Sequence, residues 1–375
     1  MQIADFRILA INPGSTSTKF GLFTNERTEK TWTVRHADKE MEAFRRRPIL
    51  EQEGFRRGLI ERTLKNGGFA LEGIHAIAGR GGMLCPLVSG TYRVNSAMLE
   101  ELRAARYGEH ASNLGAILAH SLARTIGAEA FIVDPISVNE RTANARLSGS
   151  ALMERGRFCH ALNSKAIAKR FAREQKRPYA ELRLIVAHLG GGNCISAHEG
   201  GRMVDATDAQ EEGPFSTERT GTLPALELVR LCFSGRYTKE QAERLVTGEG
   251  GLYSYLGTRD LVEVEQRIAD GDAKAALVFE AMAYQVMREV GAMAAVLHGR
   301  VDAILLTGGM AHSKKLTREL SDALHWIAPI AIYPGEDELR ALAEGALRVL
   351  SGEEKAWEFG DPAAAPLQTQ MQDAE

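Results

Sequence analysis

The sequence has few cysteines, no excess of charge of either sign and no long apolar run. Its four cysteines, Cys85, Cys159, Cys194 and Cys232, are scattered through 375 residues without a Cys-x-x-Cys pair. That argues against a disulfide framework and a zinc knuckle, and favours reduced thiols. The 46 Lys+Arg nearly balance 49 Asp+Glu, for a formal net charge of -3, so the electrostatic footprint of a dedicated nucleic-acid binder is missing. No apolar stretch reaches the roughly 18 residues of a membrane span, and Asp5 stands where a secretory leader wants basic charge. A cytoplasmic protein without nucleic-acid or membrane partners is expected. Two phosphate-binding signatures are also missing. Lys19 lacks the second glycine before it of a G-x-x-x-x-G-K-[ST] loop, and no G-x-G-x-x-G occurs, which argues against a P-loop NTPase and a simple Rossmann dehydrogenase.

What is present is length for two domains, with 44% apolar and 25% charged residues, the proportions of an ordinary globular chain. Three segments share one grammar: an apolar β-rich run followed by a turn dense in Gly and small polar residues. Ile8-Leu9-Ala10-Ile11 leads through Asn12-Pro13-Gly14-Ser15-Thr16-Ser17-Thr18 into a returning strand. Leu184-Ile185-Val186-Ala187 does the same through His188-Leu189-Gly190-Gly191-Gly192-Asn193. Ala303-Ile304-Leu305-Leu306 enters Thr307-Gly308-Gly309-Met310-Ala311 and feeds a helical pattern from Lys314 to Leu324. Helical spacing also marks Ala97–Leu102, Asn113–Ile126, Lys165–Phe171 and Ala273–Leu297. The class is α/β, and the twice-used strand-turn-strand unit predicts two related domains with the site in a cleft between them. The stretch from Glu353 to Glu375 loses periodicity and reads as a mobile tail. The run Arg45-Arg46-Arg47 sits in a helical pattern with Phe44, Ile49 and Leu50 and reads as a solvated face.

Glycine-rich turns after buried strands can converge backbone N–H groups on an anion. In the first turn Asn12, Ser15, Ser17 and Lys19 add an amide, hydroxyls and a cation; the bland alternative is a hairpin capping its own backbone. Arg80 in Gly79-Arg80-Gly81-Gly82, His110 before Ala111-Ser112-Asn113, and Asp134 after Phe131-Ile132-Val133 are isolated polar residues among small or apolar ones. Asp134 is the best placed, because acids at the carboxyl end of an apolar strand commonly meet metals or nucleophiles. A polar loop, Asp205–Gly221, precedes a helix near Pro224; its Arg219 can act as a cationic clamp on a phosphoryl group or pair with Glu218 or Glu212 on the surface.

Taken in order, Ile11–Lys19, Gly79–Gly82, His188–Gly192, Asp205–Thr207, Glu211–Ser216, Thr307–Ala311 and Tyr333–Leu339 resemble the sequence blocks of the acetate kinase family of acyl-phosphate-forming kinases, and within it the butyrate-kinase branch. The resemblance runs over nearly the whole chain. It implies two duplicated ribonuclease H-like domains of the actin-type ATPase superfold with a nucleotide cleft between them. The first domain would take residues 1–136 and 336–375, closed by a helix from Glu338 to Leu350, and the second residues 137–335. It implies a reversible Mg²⁺-dependent reaction, butyryl phosphate plus ADP giving butyrate plus ATP, in a homodimer or higher homo-oligomer.

Carried over by position, Arg80 and Arg219 would hold the carboxylate and the transferring phosphoryl group, and His160 would donate to that group. Asp134 would orient substrate or Mg²⁺, and Glu338 would hold Mg²⁺ through water, or Glu336 under a shift of one to two residues. Asn12, Ser15, Ser17 and Lys19 would meet phosphates or substrate, as would Gly190, Gly191 and Gly192. Gly308, Gly309 and Met310 would lie against the nucleotide, and His110 near the substrate. The family's Gly-Phe-His-Gly-Thr-Ser-His stands here as Arg157-Phe158-Cys159-His160-Ala161-Leu162-Asn163, retaining only the first histidine. Acetate, propionate and branched acids remain open as substrates, since one methylene discriminates by only about 1–3 kcal/mol. A non-catalytic nucleotide switch and a sugar kinase with Asp134 as base are the other readings.

Overall fold

The computed structural model describes residues 5–44, 47–156 and 158–365; Arg45 and Arg46 of the basic run, Arg157 and the last ten residues lie outside it. The chain divides into two compact units, one running to Asn139 and resuming at Asp337, the other spanning Glu140–Glu336. Unit 1 begins with β1 (Arg7–Pro13), β2 (Ser17–Thr24), β3 (Arg27–Arg35), β4 (Ala76–Arg80), β5 (Thr91–Arg93) and β6 (Glu129–Val133). Unit 2 holds a small hairpin, β7 (Leu147–Ser150) and β8 (Met153–Glu154), then β9 (Leu184–His188), β10 (Cys194–Glu199), β11 (Arg202–Ala206), β12 (Ala303–Gly308) and β13 (Ile330–Pro334). The chain returns to unit 1 with β14 (Trp357–Glu358).

The sheets repeat one topology. In unit 1 the order is β14-β5-β6-β4-β1-β2-β3, and in unit 2 it is β11-β10-β9-β12-β13. β1, β2 and β3 form an antiparallel meander, and β4 and then β6 add in parallel on the other side of β1. β9, β10 and β11 form the same meander, with β12 and β13 added in parallel beside β9. Each expected hairpin therefore continues into a third strand. β1, β4, β9 and β12 are apolar without alternation because helices cover both faces of the sheet.

One face of the unit 1 sheet packs Leu9, Ile11 and Ile77 against helices Glu53–Asn66 and Asn113–Ile126. The other receives helix Glu338–Leu350, whose Gly345 lies against Val133. In unit 2, Ile185, Ile304 and Leu306 pack on helix Ala273–Val296 and helix Lys314–Leu324. Leu184, Val186 and Leu305 pack on helix Ala161–Glu174. Each such fully buried aliphatic side chain contributes about 1.5–3 kcal/mol. Both sheets are thus finished by a helix that follows the last parallel strand of the other unit in sequence.

Two expectations need correction. The stretch from Glu353 is ordered through residue 365: β14 pairs with β5, and Phe359 and Ala364 are buried beside Tyr92 and Met98, because these apolar side chains cover an open flank of the sheet. The continuous helical pattern around Phe44, Ile49 and Leu50 is instead a short helix, Asp38–Glu42, and a separate turn, Ile49–Gln52, with Pro48 between them removing a backbone donor. In the polar loop after β11, Thr207, Asp208, Phe215, Ser216 and Thr217 are buried. Among the described residues no helix is long and apolar enough to cross a membrane.

Candidate active site

In unit 1 the carboxyl ends of β1 and β4, which are neighbours in register, carry Asn12 and Arg80. Both reach the first residue of helix Glu338–Leu350: Asn12 Nδ2 donates to Glu338, and Arg80 Nη1 lies 2.5 Å from Glu338 Oε1. Arg80 Nε is buried with no hydrogen-bond partner among the described residues. Lys19 pairs with Asn12 across the hairpin and so shares its face of the sheet, at an exposed position. Close packing sets Arg80 in place, because Gly79 and Gly115 meet back to back where neither could carry a Cβ.

Asp134 follows β6 in a left-handed conformation, φ 38°, which is costly for a residue with a side chain. Its Oδ1 accepts from Ser89 Oγ at 2.5 Å and from the Gly90 amide at 2.8 Å. These bonds hold the segment before β5 and fix the carboxylate one residue beyond Val133, the register partner of Arg80. Ser15 is exposed and Ser17 half-buried in the β1–β2 turn. His110 is exposed, with Nδ1 2.8 Å from Ser112 Oγ.

In unit 2, His160 stands at the N-cap of helix Ala161–Glu174 and stacks on His188, the last residue of β9, with ring centroids 3.8 Å apart and planes 10° off parallel. Asn163 Nδ2 lies 2.8 Å from His188 Nδ1 and 3.2 Å from Thr307 Oγ1. His188 Nε2 is 3.0 Å from Glu336 Oε1 but out of line for a hydrogen bond. The two candidate carboxylates thus differ: Glu338 is nearly buried on an arginine, while Glu336 is half-exposed beside a histidine.

The turn Gly190–Asn193 is shaped by its neighbours. Ser216 Oγ donates to Gly191 O at 2.5 Å, and a Cβ on Gly192 would strike the Arg219 guanidinium. Arg219 Nη1 donates to Ala209 O at 2.8 Å, and Nε is buried without a hydrogen-bond partner among the described residues. Neither expected surface partner takes it, since Glu218 pairs with Arg259 and Glu212 with Arg155. Burial lowers the Arg219 pKa, the signature of a cation held without full compensation. Gly308 has φ 89°, a side chain there would collide with Leu189 O, and Met310 N donates to the same carbonyl at 2.9 Å. The ends of β9 and β12 are therefore locked together. Gly190, Gly191, Gly309, Met310 and Lys314 line a cavity of about 590 Å³, large enough for a nucleotide.

The sequence reading missed three residues. Arg56, fully buried, reaches the carbonyls of the β1–β2 turn. Asp208 accepts from the amides of Phe158 and Gln210, so it fixes the chain entering His160 and the loop leading to Arg219. His188 stood inside a quoted block, and its place at the end of an apolar strand was the available signal. Cys159, beside His160, is buried with its Sγ 3.9 Å from Met203 Sδ, and a hydrogen bond with Cys194 and burial push its thiol well up.

The architecture is that of the acetate kinases, two actin-type ATPase domains. The crystal structure of Porphyromonas gingivalis acetate kinase matches with TM-score 0.77 over 92% of this chain and 100% of that chain, at 17% identity. The acetate kinase of Entamoeba histolytica matches with TM-score 0.71 over 90% of this chain and 98% of that chain, at 13% identity. The Acetokinase family pattern covers residues 153–354, and butyrate kinase 2 of Clostridium acetobutylicum is 49% identical over 355 residues, 94% of this chain and 99% of that protein. The chain belongs to the acetokinase family.

Proposed function

We propose that the protein is a butyrate kinase, transferring a phosphoryl group reversibly between ATP and the carboxylate of butyrate. The observation that carries this reading is a pair of arginines, Arg80 and Arg219, each with a buried Nε that meets no hydrogen-bond partner among the described residues, in a chain that matches a butyrate kinase along nearly its full length. Buried guanidinium donors left open suit anionic substrates, and this reaction brings anions together. A carboxylate oxygen of butyrate attacks the γ-phosphorus, the bond from that phosphorus to the bridging oxygen breaks, and ADP leaves with the electron pair. In this scheme Arg80 holds the carboxylate and Arg219 neutralises the phosphoryl oxygens. His160, oriented by its stack on His188, donates to them as charge develops. Gly190, Gly191 and Gly192 present backbone donors to phosphate, and Gly308, Gly309 and Met310 form the nucleotide wall. His110 approaches the acyl substrate.

The donor set fits Mg²⁺. Among the described residues no group of three or more His, Cys, Asp or Glu could hold a metal by itself. Glu338 and Asn12 in contact are hard oxygen donors too few for a cage, the arrangement in which Mg²⁺ relies on phosphates and water for its remaining ligands. Glu338 and Asn12 would hold the ion, with Asp134 orienting it or the substrate. Held there, Mg²⁺ would supply Lewis-acid withdrawal of charge from the phosphates. For the homo-oligomer, support comes from Leu226, Val229 and Phe233, exposed on and just after helix Ala225–Cys232.

The test is hydroxylamine trapping of acyl phosphate with Mg-ATP, run in parallel on acetate, propionate, butyrate, isobutyrate and valerate. A maximum at butyrate is expected. A maximum at another acid keeps the chemistry and overturns the substrate, and silence on every acid overturns the kinase reading in favour of a nucleotide switch.

A further inference from the structure

The β1–β2 turn is organised from within the protein by one side chain. Arg56, on helix Glu53–Asn66, is fully buried, and its guanidinium gathers the turn's carbonyls: Nη1 donates to Gly14 O at 2.8 Å and Ser17 O at 3.2 Å, and Nη2 to Ser15 O at 3.5 Å. Nη1 also reaches Thr18 Oγ1 at 3.1 Å, while Nε and Nη2 grip Gln52 Oε1 at 2.9 and 2.8 Å. The remaining carbonyl of the turn, Thr16 O, accepts from the His36 amide at 3.0 Å. The carbonyls of residues 14 to 17 are therefore all satisfied on the inner side. Gly14 N is used within the turn, donating to Ser17 O. The amides of Ser15 and Thr16 have no partner within the described residues, and both residues are exposed. A peptide whose carbonyl points inward points its N–H outward, so consecutive outward amides form a concave donor site for an anion.

The charge on Arg56 is unusual as well. Every hydrogen-bond partner of the guanidinium is neutral, and burial without a carboxylate lowers its pKa to about 10. Buried arginines normally meet an acid. Here the missing counter-ion leaves a positive charge directly behind the two free amides.

We propose that Arg56 is a positioning residue for phosphate binding, holding the β1–β2 turn in its anion-accepting form and supplying the buried charge that an anion on the turn compensates. The inference rests on reading this turn as a phosphate site. It assigns a role to a residue that touches no substrate and lies 38 to 42 positions away in sequence from the residues it positions.

The experiment uses the full chain and the variants Arg56→Lys and Arg56→Gln. Binding of inorganic pyrophosphate is measured by calorimetry, kcat and KM for Mg-ATP by hydroxamate trapping with butyrate, and folding by circular dichroism and thermal melting. Arg56→Gln is expected to weaken pyrophosphate binding at least about tenfold, the scale of a lost charge-assisted contact. Arg56→Lys keeps the charge but not the planar fork, and is expected to raise KM for Mg-ATP at least about fivefold with kcat changed less. Free guanidinium at low millimolar concentration is expected to restore part of the loss in an Arg56→Ala protein. Folded variants whose pyrophosphate affinity and KM stay within about twofold of the parent overturn the proposal, and so does loss of fold in both variants, which would assign Arg56 to stability alone. A parent that makes no acyl phosphate but loses pyrophosphate binding on Arg56→Gln upholds this inference and refutes the kinase reading; an active parent with indifferent Arg56 variants does the reverse.

Discussion

Replacing Gly115 by alanine tests whether the placement of Arg80 depends on the bare contact between helix Asn113–Ile126 and β4. A Cβ at residue 115 would lie 2.1 Å from Arg80 O and 2.8 Å from Arg80 N, where ordinary contact begins at 3.4 Å. Because the obstacle is backbone, no rotamer relieves it, and helix and strand must part by roughly 1.3 Å, the shortfall in that contact. Overpacking of this kind costs about 1–3 kcal/mol, against which alanine's better helix propensity returns up to about 1 kcal/mol. A net loss of about 1–2 kcal/mol corresponds to a Tm lowered by roughly 2–8 °C for a unit of this size. The larger effect is on rate, since misplacing a catalytic group by about 1 Å costs on the order of 100-fold. Gly54→Ala is the control: it lies in helix Glu53–Asn66 with nothing within 4 Å of the added Cβ, so its Tm is expected to hold or rise. Differential scanning calorimetry and kcat/KM on both proteins decide the matter. A Gly115→Ala enzyme as stable as Gly54→Ala and as active as the parent refutes the reasoning.

Arg219→Gln removes a buried cation whose Nε has no hydrogen-bond partner among the described residues, and is expected to lower kcat by about 10³-fold or more in single-turnover phosphoryl transfer while leaving Tm within a few degrees; retained kcat would remove Arg219 from the reaction. The second prediction concerns acid stability. His198 is fully buried, with Nδ1 2.6 Å from Tyr179 Oη and Nε2 2.8 Å from Ser196 Oγ, and burial first and the Lys165 charge second hold its pKa well below 6.5. The unfolded chain therefore takes up a proton near pH 6.5 that the native state refuses. Its contribution to stability is full above that pH and is lost on acidification, by at most about 1.4 kcal/mol per pH unit. Asp205 and Asp208, pushed up by burial, act with the opposite sign, losing stability as pH rises through their native pKa values. Urea unfolding between pH 5 and 7 is expected to show a falling acid limb that His198→Gln flattens, and an unchanged slope in that variant would falsify the assignment to His198.

The parts of this fold that announce themselves in the sequence are those where local chemistry and tertiary packing agree. β1, β9 and β12 are short apolar runs ending in glycine-rich turns, and helix Asn113–Ile126 has its apolar residues at helical spacing and a glycine just past its end. β3 was hidden because Arg27-Thr28-Glu29-Lys30 carries charge on an edge strand that lies mostly in solvent. β14 was hidden because two residues of strand have no periodicity to read. Asn12, Arg80 and Asp134 could be singled out from the sequence because each sits at or just past a strand end, Arg219 because it lies in a long polar loop, while His160 and Glu338 entered the expected set only through motif order. Arg56 could not be found that way: it lies mid-helix among Glu53, Arg57 and Arg62, where an arginine reads as one more solvated charge, and only the burial of that helix against the β1–β2 turn separates it from its neighbours.

Helix Glu338–Leu350 is made late and belongs first. A ribosome has synthesised every strand except β14 before it reaches this segment, so the nascent chain holds a complete set of central strands in unit 1 whose second face still waits for Leu342, Ala343 and Ala346, all buried in the finished protein. Through that interval Arg80 has no Glu338 to face, and the carboxyl end of β1 lacks its acid. Completion of the amino-terminal unit therefore waits for synthesis of residues 338–350, and a message truncated anywhere before the codon for Glu338 would release a chain with an open hydrophobic sheet, a natural target for chaperones and proteases, and without the carboxylate that completes its charge cluster.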